Sequence, residues 1–459
     1  MALTEWTFTR LFTTILLLTP IRVSLAQTSS SNPTTGAAAA AKANTELDAQ
    51  DSKSESKEVT TLVGTRTLSI DQGGLPSGSY TTYTSKITII SSTETIESDT
   101  TLTFTSSDTS STIASNATET STGAEPKNTQ PCNNYVELCD KKYSNVTAIA
   151  AHNSPFVRKG SSAANQQLDV VTQLNDGVRF LQAQIQWPSP REGENIDPNV
   201  PHFCHTSCDI LDGGPITEWL TTVREWVESH PYDVVTILLG NGNYSKPALY
   251  APFIESTGIL KYAYQPPFLP MSLDDWPTLE QMIILGKRVV MFLDYEADQK
   301  EYPWLVDQFS NMWETPFDPL DRAFPCDVQR PPDLGVEDAK DRLYLMNHNL
   351  NAKFVLFGAE ILVPAVALLN ETNAAEGEGS LGNATQGCAE RYGRAPNFLN
   401  VDYYNFGKPE GSVFEVAARF NNVTWNGRCC GTMPGAASGV RPRLLMLGLG
   451  FVVTVLLLG

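Results

Sequence analysis

Between residues 27 and 128 the chain has no cysteine and no tryptophan, and few large apolar side chains of any kind. Ser, Thr and Ala dominate, as in "TETIESDTTLTFTSSDTSSTIASNATETSTG". Such a stretch cannot bury enough surface to offset its chain entropy, which excludes a packed core there. Positive charge is also scarce. There are 32 Lys and Arg against 51 Asp and Glu, a formal net charge of −19. Nucleic acid is thereby excluded as a partner, because phosphate backbones need a basic surface. A Gly-rich phosphate loop is missing too. "AHNSPFVRKG" follows the first strong apolar run with neither a dinucleotide nor a Walker signature. Histidine is rare, limited to His152, His202, His205, His230 and His348.

The ends of the chain carry apolar runs of a different kind. Arg10, the run Leu11 to Leu18 and the small residues around Ser24-Leu25-Ala26 read as a signal peptide, residues 1–26. That run is too short for a membrane-spanning anchor. At the other end, "LLMLGLGFVVTVLLLG" (444–459) follows Arg441, Arg443 and the small residues Gly435 to Gly439. Small residues, a short polar spacer and an apolar tail describe a glycosylphosphatidylinositol-anchor signal, placed at 431–459. A plain C-terminal membrane helix fits less well, because the run is marginal in length and no basic tail follows. The expected protein is secreted, at the cell surface, and attached to membrane or wall by this lipid anchor.

Between the ends, residues 27–131 read as a Ser/Thr-rich stalk suited to O-glycosylation. Within it "YTTYTSKITIISS" (80–92) alternates enough to suggest a hairpin. Six N-glycosylation patterns occur, at Asn116, Asn145, Asn243, Asn370, Asn383 and Asn422, and each is expected at the surface. All eight cysteines lie at or after Cys132. A secreted chain favours disulfides. Cys132 with Cys139 and Cys204 with Cys208 suit local bridges. The adjacent Cys429 and Cys430 are expected to have different partners, and one cysteine could be free.

From Cys132 to Cys430 short apolar runs alternate with helix-like segments. The runs are 146–152, 178–186, 234–241, 287–295, 342–349 and 396–404. In "GPITEWLTTVREWVESHP" the residues Trp219, Val223, Trp226 and Val227 recur at helical spacing and read as core. Alternation of this kind implies a parallel sheet covered by helices. The fold class is α/β: a distorted or incomplete TIM (β/α) barrel, residues 132–430. A doubly wound open sheet is the rival, weakened by the missing phosphate loop.

In a barrel, chemistry gathers where strands end. These runs end in His152-Asn153, in Gln182, Gln184 and Gln186, in Asn241, in Asp294 and Glu296, in Asn347-His348-Asn349 and in Asp402. His230, before a proline at a helix end, reads as structural. A zinc site from His202, Cys204, His205 and Cys208 does not match common spacings. A pair of histidines suits phosphodiester cleavage, because imidazole is available in both proton states near neutrality. Asp402 on the last strand could fix the tautomer of His152 on the first, since those strands adjoin in a closed barrel.

On "AIAAHNSPF", "DGVRFLQAQIQW", "FCHTSCDILDGG", "YDVVTILLGN", "RVVMFLDY" and "PNFLNVDYYNFG" the chain resembles the phosphatidylinositol-specific phospholipase C superfamily, the X-type barrel, and most closely its secreted fungal branch. The resemblance covers about Cys132 to Cys430. It implies phosphodiester cleavage with His152 as general base, His205 as general acid and Asp402 supporting the base. Asn153, Gln182, Gln184, Asn241, Asp294 and His348 are candidate substrate contacts. The chain departs from the family at Gln182 and Gln184, where relatives carry two acidic calcium ligands or an aspartate and an arginine. Neutral amides cannot replace either, so no metal and no other cofactor is expected. Arg179 alternates away from the glutamines and reads as structural. The expected substrate is a phosphodiester or phospholipid. The rival functions are an inactive, glycosylated, anchored surface-binding barrel and a glycerophosphodiester hydrolase, the latter wanting a carboxylate pair that Gln182 and Gln184 do not supply.

Overall fold

The computed structural model describes residues 80, 86–89, 129–157, 160–190, 196–356, 359–427 and 429–431. The signal peptide, nearly all of the stalk with Asn116, and the C-terminal anchor signal lie outside the described residues.

Eight parallel strands form one curled sheet. They are β1 (Ala148–Ala151), β2 (Phe180–Gln186), β3 (Val235–Gly240), β4 (Val289–Leu293), β5 (Leu305–Asp307), β6 (Met312–Glu314), β7 (Leu343–Asn347) and β8 (Phe398–Val401). The order across the sheet is β6-β7-β8-β1-β2-β3-β4-β5. Among the described residues no ladder joins β5 to β6, so the barrel is open at that seam. The six apolar runs each hold a strand. The two three-residue strands beside the seam carry no alternation that marks them.

Alternation divides the strand residues into two sets. Leu181, Ile237, Met291, Leu399 and Val401 pack outward with the buried face of helix Ile216–Ser229, which includes Trp219, Val223, Trp226 and Val227. Phe180, Val290, Phe292, Met312, Leu345 and Phe398 fill the lower lumen. Tyr143 and Trp276 close the bottom, and Tyr143 Oη lies 2.7 Å from Thr236 Oγ1. The apolar filling makes the lower barrel a core and leaves the strand C-termini for polar groups.

Of the stretch 80–92, where a hairpin is expected, residues 80 and 86–89 are described and the rest lies outside the described residues. Ile87–Thr88 pairs antiparallel with Phe268–Leu269. Tyr80 packs edge-on against Phe309, in the turn between β5 and β6, with ring centroids 4.9 Å apart.

Four disulfides join Cys132–Cys139, Cys204–Cys208, Cys326–Cys388 and Cys429–Cys430. The expectation of different partners for Cys429 and Cys430 is therefore corrected, and so is that of a free cysteine. Asn145, Asn370, Asn383 and Asn422 are exposed, and Asn243 is half-buried.

Candidate active site

The site is built on the β8–β1 ladder. Val401 pairs with Ala151, so the next residue of each strand, Asp402 and His152, stand side by side at the mouth. Backbone bonds lock this register: His152 N–H donates to Val401 O at 3.0 Å, and Gln166 Nε2 donates to the carbonyls of both His152 and Val401. The Asp402 carboxylate lies 2.7 Å from His152 Nδ1 and accepts from Asn165 Nδ2 at 2.9 Å. A carboxylate only accepts, so Nδ1 carries the proton. Nε2 then holds the lone pair, and it accepts from Asn153 Nδ2 at 3.2 Å. Asn153 sits in the left-handed region (φ 49°), which places its amide back over the ring.

His205 arrives by a separate route. The strand His202–His205 leaves the top of β2 by antiparallel pairing of Ile185 with Phe203, and returns as Leu211–Pro215. The Cys204–Cys208 disulfide closes this turn, and Gln186 Nε2 donates to the carbonyls of Cys204 and Thr206, on either side of His205. The thiols are consumed in that bridge. His202 faces Asp212 at 2.9 Å. The His205 ring packs edge-on against Phe156 at 5.3 Å, and its Nδ1 is shielded without a hydrogen-bond partner. Burial lowers its pKa to about 3, and repulsion from nearby His152 adds to this. Desolvation penalises the charged imidazole and so favours the neutral form of His205.

Below the histidines lies a polar layer. Gln182 and Gln184 alternate with buried Leu181, Ala183 and Ile185 on β2. Asn400 Nδ2 donates to Gln182 Oε1 at 3.3 Å and to Asn347 Oδ1 at 2.9 Å. Asn347 Nδ2 in turn donates to Glu314 Oε2 at 3.2 Å. Glu314 pairs with buried Arg330 at 2.6 Å, and Arg330 Nη1 reaches Tyr295 Oη at 3.3 Å. Asp294 is half-buried, and desolvation raises its carboxyl to about 7 against the attraction of Arg330. Asp318 is raised by burial to about 6, opposed by attraction to His152 and Arg330.

Arg330, Glu314 and Asp318 were not anticipated. They come from β6 and the loops after it, where no strand pattern announces an inward side chain. Two candidates have side chains engaged by other parts of the fold, although Asn241 N–H also donates to Asp294 Oδ1 at 2.7 Å. The Asn241 amide is engaged by its own loop, donating to Ser245 O at 2.8 Å and Tyr295 O at 2.9 Å. His348 stacks on Phe324 at 3.7 Å with Nε2 3.0 Å from Thr372 O. Because Asn347 points into the lumen, its neighbour His348 must point out. Arg179 is bound to Asp233 and to the carbonyls of Leu174 and Val178, outside the mouth. His230 stacks on Trp226 at 3.9 Å.

The residues do not fit the calcium of the acidic relatives. Calcium wants six to eight oxygens with charged carboxylates among them. Here Gln182 is tied to Asn400, Glu314 to Arg330 and Asp402 to His152. Among the described residues Asp402 Oδ2 is the one shielded carboxylate oxygen without a hydrogen-bond partner; the others are amide oxygens, Asn153 Oδ1 among them, and the Tyr250 hydroxyl.

Comparison with known proteins gives a consistent family. An "Uncharacterized secreted protein" of Arthroderma benhamiae is 48% identical over 359 residues, 78% of each chain. A "PI-PLC X domain-containing protein 1" of the same organism is 38% identical over 294 residues, 64% of this chain and 90% of the other. Among solved structures, the phosphatidylinositol-specific phospholipase C from Listeria monocytogenes aligns with a TM-score of 0.41 at 13% identity, covering 62% of this chain and 96% of that one. The family model described as PI-PLC X 1 matches residues 138–421, most of the barrel, and the chain belongs to the PI-PLC X family.

Proposed function

We propose that this chain is an extracellular, cell-surface phosphodiesterase of phospholipase C type that cleaves a phospholipid or related phosphodiester by paired histidines without a metal. The observation that carries the reading is the 2.7 Å contact of Asp402 with His152, beside a second imidazole on the tied turn at His205. The His152 Nε2 lone pair takes the proton of an attacking hydroxyl while Asp402 stabilises the imidazolium that forms. His205 gives a proton to the leaving oxygen. With a phosphatidylinositol, the inositol 2-hydroxyl would attack phosphorus, the bond to the diacylglycerol oxygen would break, and a cyclic phosphate would form. A phosphodiester anion between the rings favours both imidazolium forms, so substrate itself would raise His205 into the protonated state. Asn153, Gln182, Gln184 and Asp294 line the space that substrate would fill.

The relative named as a secreted protein supports an extracellular location, and four disulfides suit an oxidising compartment. Attachment through a C-terminal lipid anchor rests on the apolar tail.

A second reading is an inactive, anchored binding barrel. It is favoured by one feature: Gln182 and Gln184 supply no charge to the phosphate, and the one cation found in the upper lumen among the described residues, Arg330, is neutralised by Glu314. The two readings separate in one assay. Phosphatidylinositol and glycosylphosphatidylinositol substrates are offered with and without a calcium chelator. Turnover that persists with chelator and vanishes in His152→Ala supports the enzyme. A folded chain that turns over no phosphodiester supports the binder.

A further inference from the structure

Two described pieces of the Ser/Thr-rich stretch, Tyr80 and residues 86–89, converge on one place in the barrel. It is the turn Gln308–Asn311, which crosses the open seam from β5 to β6. The Tyr80 ring packs on Phe309 of that turn and edge-on against Tyr295, whose centroid is 5.7 Å away. Residues 86–89 reach the same turn through one intermediary. Ile87–Thr88 pairs with Phe268–Leu269, and Ile89 N–H donates to Pro267 O at 2.9 Å. Just past Leu269, Met271 N–H donates to Asn311 Oδ1 at 3.0 Å. Lys86 adds an ion pair with Asp275 at 2.6 Å and lies 4.4 Å over the Phe268 ring.

From Tyr80 a line of contacts runs inward to the polar layer. Its Oη lies 3.4 Å from Tyr295 Oη. Tyr295 Oη accepts from Arg330 Nη1, because a guanidinium only donates, and its own O–H can donate to Tyr80 Oη. Arg330 also lies over the rings of Phe309, at 5.4 Å, and Phe317, at 4.5 Å. Phe309 thus touches both the stalk tyrosine and the buried cation. Arg330 holds Glu314, and Glu314 accepts from Asn347 and Gln308. The guanidinium charge attracts Asp294 and Asp318, and Asp318 is attracted to His152 as well. A displacement of Arg330 is therefore felt at the base.

We propose that Tyr80, well outside the barrel sequence itself, is a positioning residue of the active site: it packs at the seam and holds Phe309 and Tyr295, and through them Arg330, in the upper lumen. The inference rests on the phosphodiesterase reading above, whose developing phosphate charge a fixed cation would meet. The need for such a residue comes from the seam. Among the described residues β5 pairs with β4 alone and β6 with β7 alone, so the turn between them has no ladder to fix it. Glu314, the partner of Arg330, is the last residue of β6 and inherits that freedom. Aromatic packing supplies the missing restraint, since paired rings are worth more than their buried area alone. Preorganised charge stabilises a transition state only while it is held in place.

Tyr80→Ser and Tyr80→Phe in the full chain test this. Amide hydrogen exchange reads the restraint without any substrate. Peptides covering 291–296 and 308–317 should exchange faster in Tyr80→Ser, and Tyr80→Phe, which keeps a ring on Phe309, should restore most of the protection. With phosphatidylinositol as substrate, kcat should fall about ten- to a hundredfold in Tyr80→Ser, the cost of a misplaced group. KM should change little, because the cation meets charge that develops in the transition state. Tyr80→Phe should recover most of the lost kcat. Urea unfolding fixes conditions in which every variant is fully folded. Tyr232→Ser, at an exposed tyrosine that precedes β3 and so lies at the opposite end of the barrel, should change neither reading. Faster exchange in Tyr80→Ser, with no turnover of any phosphodiester by the unaltered chain, would leave the hold of Tyr80 standing and remove the catalytic reading. The proposal is overturned by exchange that ignores Tyr80→Ser. It is overturned equally by an unchanged kcat in a variant whose exchange has quickened, or by a loss of kcat that only follows the unfolded fraction.

Discussion

Nδ1 of His152 and Oδ1 of Asp402 lie 2.7 Å apart at the tips of adjoining parallel strands, and Asp402 is almost fully buried. The carboxylate does two things at once: it selects the tautomer that leaves Nε2 basic, and it offsets the positive charge that appears when Nε2 takes a proton. Asp402→Asn keeps the shape and loses both. Turnover on a phosphodiester should fall by about 10²–10⁴-fold, the usual weight of a positioned base, with little change in substrate KM. Wild-type turnover in this variant would remove Asp402 from the mechanism.

His205 predicts a particular pH behaviour. Its pKa is lowered to about 3, by burial first and by His152 second. A bound phosphodiester carries negative charge and stabilises the imidazolium, so the pKa must rise on binding. The profile of kcat/KM reports the free enzyme and that of kcat the complex. The basic limb assigned to His205 should therefore lie at higher pH in kcat than in kcat/KM. Superimposable limbs, measured with the same substrate, would contradict His205 as the acid.

Much of the frame was legible because long parallel strands announce themselves. Runs such as "VVTILLGN" are apolar on both faces, and polar residues appear only where the run ends. The adjacency of His152 and Asp402 followed from closing first strand to last. What escaped has a physical reason in each case. Leu305–Asp307 and Met312–Glu314 are too short to show a period, so Glu314 and its partner Arg330 went unseen. At the end of β7 one residue of phase separates Asn347, inside, from His348, outside, and a sequence does not state where the strand stops twisting inward. Cys429 and Cys430 bridge each other, with Cys429 packed so tightly against Gly411 that a Cβ there would collide with its Sγ.

His348 makes an acid-stability prediction. Burial lowers its pKa to about 3, although its bond to Thr372 O acts the other way. Between pH 6.5, the ordinary value, and about 3 the unfolded chain binds a proton that the folded chain refuses. The unfolded state then holds more protons, so stability rises with pH across this window and falls as acid is added. His348→Asn should be less stable at pH 7, having lost the stacking on Phe324, yet should show a shallower decline toward pH 4 in urea titrations. An unchanged slope would mean that His348 is protonated in the folded protein.

The Glu314–Arg330 pair sets the last expectation. Arg330 gives Glu314 Oε2 two hydrogen bonds, at 2.6 Å and 3.2 Å, and the same oxygen accepts from Asn347. Both side chains are buried. Glu314→Ala leaves a buried guanidinium without its carboxylate and unties Asn347 as well, which should cost about 3–5 kcal/mol of unfolding free energy. Replacing both partners by apolar residues, Glu314→Leu with Arg330→Met, removes the stranded charge along with the attraction, so the double variant should be more stable than Glu314→Ala. Urea unfolding of the two proteins decides it. If the double variant were the less stable, the pair would be contributing attraction beyond its desolvation cost, and the polar layer would be a stabilising element of the barrel in its own right.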